Sequence, residues 1–151
     1  MKIEKNMNNF HNLARGVCVN ERGEVLVAFN KEGGHYFLPG GHIEIGEAAK
    51  SALVREMMEE TGSSVQVGSL VGVIEHAFQH KGELKHEYNF VFIMALTDPT
   101  LPVKSIEDHL EYGWYTPVQL EAINFKPARM LSLVQRVIDG TEISYFDSTI
   151  G

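Results

Sequence analysis

The sequence predicts an α/β fold in a single domain, and three observations carry that reading. Apolar runs of strand length alternate with two segments of helical character. A chain of 151 residues, 44% of them hydrophobic, has material for one sizeable core and too little for two. No period of 20–50 residues repeats, and no low-complexity segment interrupts the pattern.

Leu13–Val19, Val25–Phe29 and Tyr36–Leu38 are expected strands. Glu21-Arg22-Gly23-Glu24 is the first turn and Lys31–His35 a glycine-containing loop. Leu38-Pro39-Gly40-Gly41 closes the third run with a turn signal, and a helix is expected from near Gly46 to Thr61, where Gly62 stops it. Val65–Val67 and Ser69–Phe78 are strand-like, Lys81-Gly82-Glu83 is a hairpin turn and Glu87–Leu96 the returning strand. Thr97–His109, with Pro99 and Pro102, is the longest irregular stretch. Glu111–Tyr115 follows as a short strand, Val118–Ala122 as a helical turn, and Pro127–Val137 as a helix with Leu131, Val134 and Ile138 at helical spacing.

Charge and cysteine content narrow the function classes. Thirteen basic against twenty acidic residues leave a net charge of −7, which opposes sequence-independent binding to long nucleic acids, because that affinity rests on Lys and Arg replacing counterions. The single cysteine, Cys18, sits in an apolar run, has no partner for an internal disulfide, and is expected to be a buried thiol. The first twenty residues lack the apolar core of a signal peptide, and no run approaches a membrane span. A cytoplasmic, membrane-free protein is expected.

The most informative segment is Gly41–Ser63. On the predicted helix Glu56, Glu59 and Glu60 stand at i, i+3 and i+4 and share one face, while Leu53 and Met57 take the inward flank and Ala49 and Ala52 leave the acidic face uncrowded. Like charges at this spacing cost a helix about 0.2–0.5 kcal/mol per pair, and a divalent cation removes that cost. Oxygen donors of this kind suit Mg²⁺ or Mn²⁺ and not Zn²⁺. Arg55 adjoins the cluster, where its rigid fork can orient a carboxylate.

The complete spacing is Gly41, five residues, Glu47, seven residues, then Arg55-Glu56-Met57-Met58-Glu59-Glu60-Thr61-Gly62. This resembles the Nudix box, with every charged and glycine position filled; Phe37-Leu38-Pro39-Gly40-Gly41 and Ile43-Glu44 are similar to the family as well. Ser63 departs from the aliphatic residue preferred there and touches packing rather than chemistry. The resemblance extends over about Leu13–Val137 and implies an α/β/α sandwich around a mixed β-sheet. It also implies hydrolysis of a nucleoside diphosphate linked to another moiety, by water attack at phosphorus with Mg²⁺ or Mn²⁺ as cofactor. A polyanionic pyrophosphate meets an acidic face only with cations between them.

Carried over by position, Glu56 and Glu60 are the chief metal ligands, Glu59 a second ligand or a partner through water, and the Gly40 carbonyl a further ligand; Glu47 and Arg55 support them. Glu56 is the first choice of general base, with Glu107, Asp108 and Glu111 as alternatives or as an additional acid. Tyr36, Phe78, Tyr88 and Phe125 are candidates to stack on a base, and Arg15, Lys81, Lys85, Lys126 and Arg129 to meet phosphate. In MutT-type sanitisers of oxidised guanine nucleotides an amide near the last helix reads the base; Arg129 stands in its place, which weakens that substrate. The expected partner is a small nucleoside diphosphate derivative, and a homodimer is compatible with the sequence.

Other motifs give way to this one. Gly41-His-Ile-Glu-Ile-Gly46 has Walker A glycine spacing, but Glu47 replaces the lysine that reaches phosphate. His76 and His80 fall on a strand, where four residues span about 13 Å, too far for one metal; His11, His35, His42, His86 and His109 are also expected to be surface or hairpin residues rather than ligands. Two further classes remain: a non-catalytic nucleotide-sensing module, which should have lost box carboxylates, and an isoprenoid diphosphate isomerase, which needs a catalytic cysteine better placed than Cys18.

Overall fold

The computed structural model describes residues 9–141 and 145–150. Among these residues eight strands and three helices follow in the order β1 (Phe10–Val17), β2 (Val25–Asn30), β3 (His35–Phe37), β4 (Gly40–His42), α1 (Ala49–Thr61), β5 (Val65–His80), β6 (Glu83–Leu96), β7 (Leu110–Tyr115), α2 (Pro117–Glu121), α3 (Met130–Ile138) and β8 (Tyr145–Ser148). Five strands form a mixed sheet in the order β4-β1-β6-β5-β8, and three form a smaller antiparallel sheet in the order β3-β2-β7. The mixed character comes from β1, which runs parallel to β6 (Arg15 opposite Val91) and antiparallel to β4 (Arg15 opposite Gly40), and from β5, which is antiparallel to β6 and parallel to β8.

Alternation along the strands supplies two core layers, because successive side chains leave a strand on opposite faces. On one side Ala14, Phe92 and Met94 pack against Ala52, Leu53 and Met57 of α1. On the other, Val17, Val71, Ile74 and Val91 pack against Leu120 of α2 and Met130, Leu133 and Val134 of α3. Helices therefore cover both faces, as the α/β/α expectation requires. Among the described residues no helix is long and apolar enough to cross a membrane.

Helix α1 positions the acidic motif, and local chemistry sets its limits. It begins after a loop in which the Glu44 N–H donates to the Glu47 carboxylate and the Glu47 N–H to the Glu44 carbonyl. It ends at Gly62, whose left-handed backbone (φ 69°) lets its N–H reach the Met58 carbonyl. The helix starts three residues later than expected, at Ala49, because Gly46 takes a positive φ of 81°. Ala52 is fully buried against the sheet and so lies on the core flank, not on the acidic face.

Several strands differ from expectation. The expected pair Val65–Val67 and Ser69–Phe78 is one continuous β5, with register shifts against β6 between Val67 and Gly72. Strand β1 spans Phe10–Val17 rather than Leu13–Val19, Val19 making only an isolated bridge to Val25. Gly40–His42, read as part of a turn, pairs with β1 as β4. The tail beyond Gly140 contributes β8, which lies parallel to β5.

Candidate active site

The acidic residues of α1 stand at the border between core and solvent. Glu56 and Glu60 adjoin the buried Leu53 and Met57 and are themselves partly enclosed, whereas the Glu59 side chain is 58% exposed. Arg55 sits at the centre of the array. Its Nε and Nη2 donate to the two Glu47 oxygens at 2.7 and 2.9 Å, a bidentate pair, while Nη1 donates to Glu56 at 3.0 Å and to Glu59 at 3.2 Å. Nη2 also reaches the His42 carbonyl at 2.9 Å, tying the helix to β4. The Arg55 hydrogen bonds hold the Glu47 carboxyl at about 2, and Glu47 and Glu56 in turn raise the Arg55 guanidinium above its ordinary range.

Glu60 is treated differently. Arg55 makes no ion pair with it; its partner is the Tyr112 hydroxyl of β7, which donates to Oε2 at 2.8 Å. Burial pushes the Glu60 carboxyl up to about 7; the Tyr112 hydrogen bond opposes that rise and the charge of Glu56 adds to it. Burial, and then Glu60, raise the Tyr112 phenol in the same way.

Two glycines close the array from the β4 side. Gly40 has φ 139°, and a Cβ there would overlap the Ala14 carbonyl oxygen, so no other residue fits. A Cβ on Gly41 would stand 2.5 Å from the Glu56 carboxyl carbon. The box glycine therefore lets the backbone lie directly against that carboxylate.

A cleft of about 810 Å³ opens on the opposite face of the mixed sheet, bordered by Arg15, Phe37, Phe78, Lys81, Lys126 and Asn89 among others. Arg15 lies in this cleft, close enough to the acidic array for the charges of Glu60 and Glu56 to act on it. Its Nε donates to the buried Asn89 at 3.3 Å and its Nη1 to the Leu38 carbonyl at 3.2 Å, its guanidinium lies 5.4 Å from the Phe37 ring centroid, and no carboxylate pairs with it among the described residues. Burial lowers its pKa, opposed by the charges of Glu87, Glu60 and Glu56. A partly buried guanidinium without an ion-pair partner favours an incoming anion.

The other sequence candidates are distributed unevenly. Phe78 borders the cleft, stacked on His76. Phe125 does not: it is buried in the core beside α3, because its backbone bridges to Tyr36 and turns the ring inward. Tyr36 packs on Phe29 and Tyr115, and Arg129 faces Asp147 of β8 at 4.0 Å. The Glu75 carboxylate raises the Tyr88 phenol. Lys85 is held by Asn9 and Glu83. Of the three candidate acids before and within β7, Glu107 is close enough for its charge to raise the Glu60 carboxyl, Glu111 pairs with Lys31 at 3.5 Å, and Asp108 is exposed. Sequence reasoning missed Tyr112 and Asn89; a polar residue alternating with apolar ones on an interior strand was the available signal for Asn89.

The carboxylates of Glu56, Glu59 and Glu60 are oxygen donors of the kind that fits Mg²⁺ or Mn²⁺. Among the described residues no three acidic, histidine or cysteine side chains already converge as a finished metal cage. The reason is visible in Arg55, which draws Glu56 and Glu59 toward itself, while the enclosed Glu60 has no cation paired with it.

The family model of the NUDIX domain matches residues 10–136, and the chain belongs to that family. Among solved structures it is similar to the MutT protein from Methanosarcina mazei Go1, at 26% identity and TM-score 0.69, covering 87% of this chain and 94% of that one. An ADP-ribose pyrophosphatase of Methanocaldococcus jannaschii is 41% identical over 107 residues, 71% of this chain and 61% of the relative. The 8-oxo-dGTP diphosphatase of Escherichia coli is 36% identical over 70 residues, 44% of this chain and 54% of the relative. The matched segments thus span only 54–61% of these two relatives.

Proposed function

We propose that this protein hydrolyses the pyrophosphate bond of a nucleoside diphosphate linked to another moiety, with Mg²⁺ or Mn²⁺ held by Glu56, Glu59, Glu60 and the Gly40 carbonyl. The observation that carries the reading is the complete box array, three glutamates organised by one arginine against a glycine backbone. When bound, the cation supplies charge neutralisation for the pyrophosphate and acidifies water. Arg55 gathers Glu47, Glu56 and Glu59 around one guanidinium through its hydrogen bonds to all three. Arg15 receives a phosphoryl oxygen at the inner end of the cleft, and the Phe78 and His76 rings offer a flat surface to the moiety beyond. Glu56 takes the proton of the attacking water, with Glu107 as the alternative base.

The names of the two enzymatic relatives, an ADP-ribose pyrophosphatase and an 8-oxo-dGTP diphosphatase, support a nucleotide or nucleotide-sugar substrate. An isomerase on this fold is disfavoured, because Cys18 is buried in the core layer under α1 and burial raises its thiol pKa. A purely sensing module is disfavoured by the intact carboxylates.

Phosphate release from a panel of nucleoside diphosphate derivatives, with and without Mg²⁺, tests the proposal. Turnover should require the cation and fall by about 10²-fold or more in Glu56→Gln, since removing a transition-state charge partner costs roughly 3 kcal/mol. Cation-independent turnover, or full activity of that variant, would overturn it.

A further inference from the structure

Strand β7 lies outside the box, yet its Tyr112 makes the hydrogen bond that faces Glu60. Its ring packs in the core layer beneath α1, with Phe90 and Trp114, so the hydroxyl has little freedom to leave. The chain also grips Glu60 from behind: the Ile106 N–H donates to the Glu60 carbonyl at 2.7 Å, which fixes the last turn of α1 to the loop leading into β7. Main chain and side chain of one glutamate are thus both held by the same loop-strand unit. Glu47, Glu56 and Glu59 have Arg55 as their organiser, and Glu60 is the box carboxylate that Arg55 does not pair.

We infer that Tyr112 is a positioning residue for the metal site, fixing the orientation of the Glu60 carboxylate through its hydrogen bond to Oε2. The inference rests on the proposed function and adds a residue to it. Carboxylate ligands held by an outer hydrogen bond bind metal with their orientation already set, and loss of such a partner typically lowers metal affinity about 10–100-fold. Phenylalanine keeps the packed ring and removes only the hydroxyl, so Tyr112→Phe isolates that contribution.

The test is direct Mn²⁺ binding by electron paramagnetic resonance, without substrate, on wild type, Tyr112→Phe, Glu60→Gln and the double variant, each checked for native circular dichroism. Tyr112→Phe should bind Mn²⁺ about tenfold more weakly than wild type, and in the Glu60→Gln background the same substitution should change the affinity by less than about twofold. In turnover, the Mg²⁺ activation constant should rise while the substrate KM at saturating Mg²⁺ stays near wild type. Equal Mn²⁺ affinity in wild type and Tyr112→Phe would overturn the inference and leave the proposed function standing, as would an equal loss in both backgrounds. Absence of Mn²⁺ binding in wild type would instead overturn the proposed function itself, and this inference with it. Should Tyr112→Phe lose native dichroism, Ile106→Pro, which removes the N–H gripping Glu60, provides the second comparison: it should also weaken Mn²⁺ binding, and unchanged affinity would count against the inference.

Discussion

Replacing Glu60 by glutamine should make the metal-stripped protein more stable at pH 8 and leave it nearly unchanged at pH 5. In the folded protein burial raises the Glu60 carboxyl from 4.5 to about 7. The folded state therefore holds a proton that the unfolded chain has released, and stability falls as pH rises through the window between 4.5 and about 7. The full displacement corresponds to about 3 kcal/mol above that window. Glutamine keeps the oxygen that accepts from Tyr112 but carries no charge, so the variant escapes the loss. For a domain of this length the gain at pH 8 is roughly 6–12 °C in Tm. Glu47 does not confuse the comparison. Its carboxyl is held down at about 2, so its stabilisation is lost only as pH falls from 4.5 toward that value, below the range tested. Thermal melts of both proteins at pH 5 and pH 8, after removal of divalent cations, measure the effect. A Tm difference that is the same at both pH values would refute the reasoning.

Gly41→Ala should lower kcat by at least tenfold with little change in Tm, because the new Cβ would meet the movable Glu56 carboxyl at 2.5 Å rather than a rigid backbone; activity assays paired with melts decide this. Arg55→Lys should lower activity and release Glu47, because an ammonium cannot reproduce the bidentate pair at 2.7 and 2.9 Å; a Glu47 carboxyl that titrates near 4.5 by NMR in the variant is the expected sign. Mg²⁺ at ten times its Kd should stabilise wild type by about 1.4 kcal/mol, or roughly 3–6 °C, and the Glu56→Gln/Glu60→Gln variant much less, as differential scanning calorimetry can show.

The box helix was legible because its information is local: glutamates at i, i+3 and i+4, apolar Leu53 and Met57, and Gly62 as the stop. The α/β class was legible for the same reason. What escaped depends on contacts distant in sequence. Gly40–His42 has no strand propensity of its own, and its conformation comes from pairing with Leu13, Ala14 and Arg15. Strand β8 likewise exists as an addition to the edge of β5. Aromatic residues were the hardest to place, since alternation marks two faces of a strand without saying which is core. Phe125 went inward and Phe78 to the cleft. Tyr112 stands 52 residues from Glu60, and nothing in either segment announces that the phenol and the carboxylate meet.

The proposed hydrolysis requires the acidic face of α1 to direct water onto phosphorus. Hydrolysis of a turned-over nucleoside diphosphate derivative in ¹⁸O-labelled water, with Mg²⁺ present and the products resolved by mass spectrometry, tests it most directly. One label on a phosphate group of a product, and none on carbon of the sugar or base, is the expected result. Label on carbon of the sugar or base would contradict it.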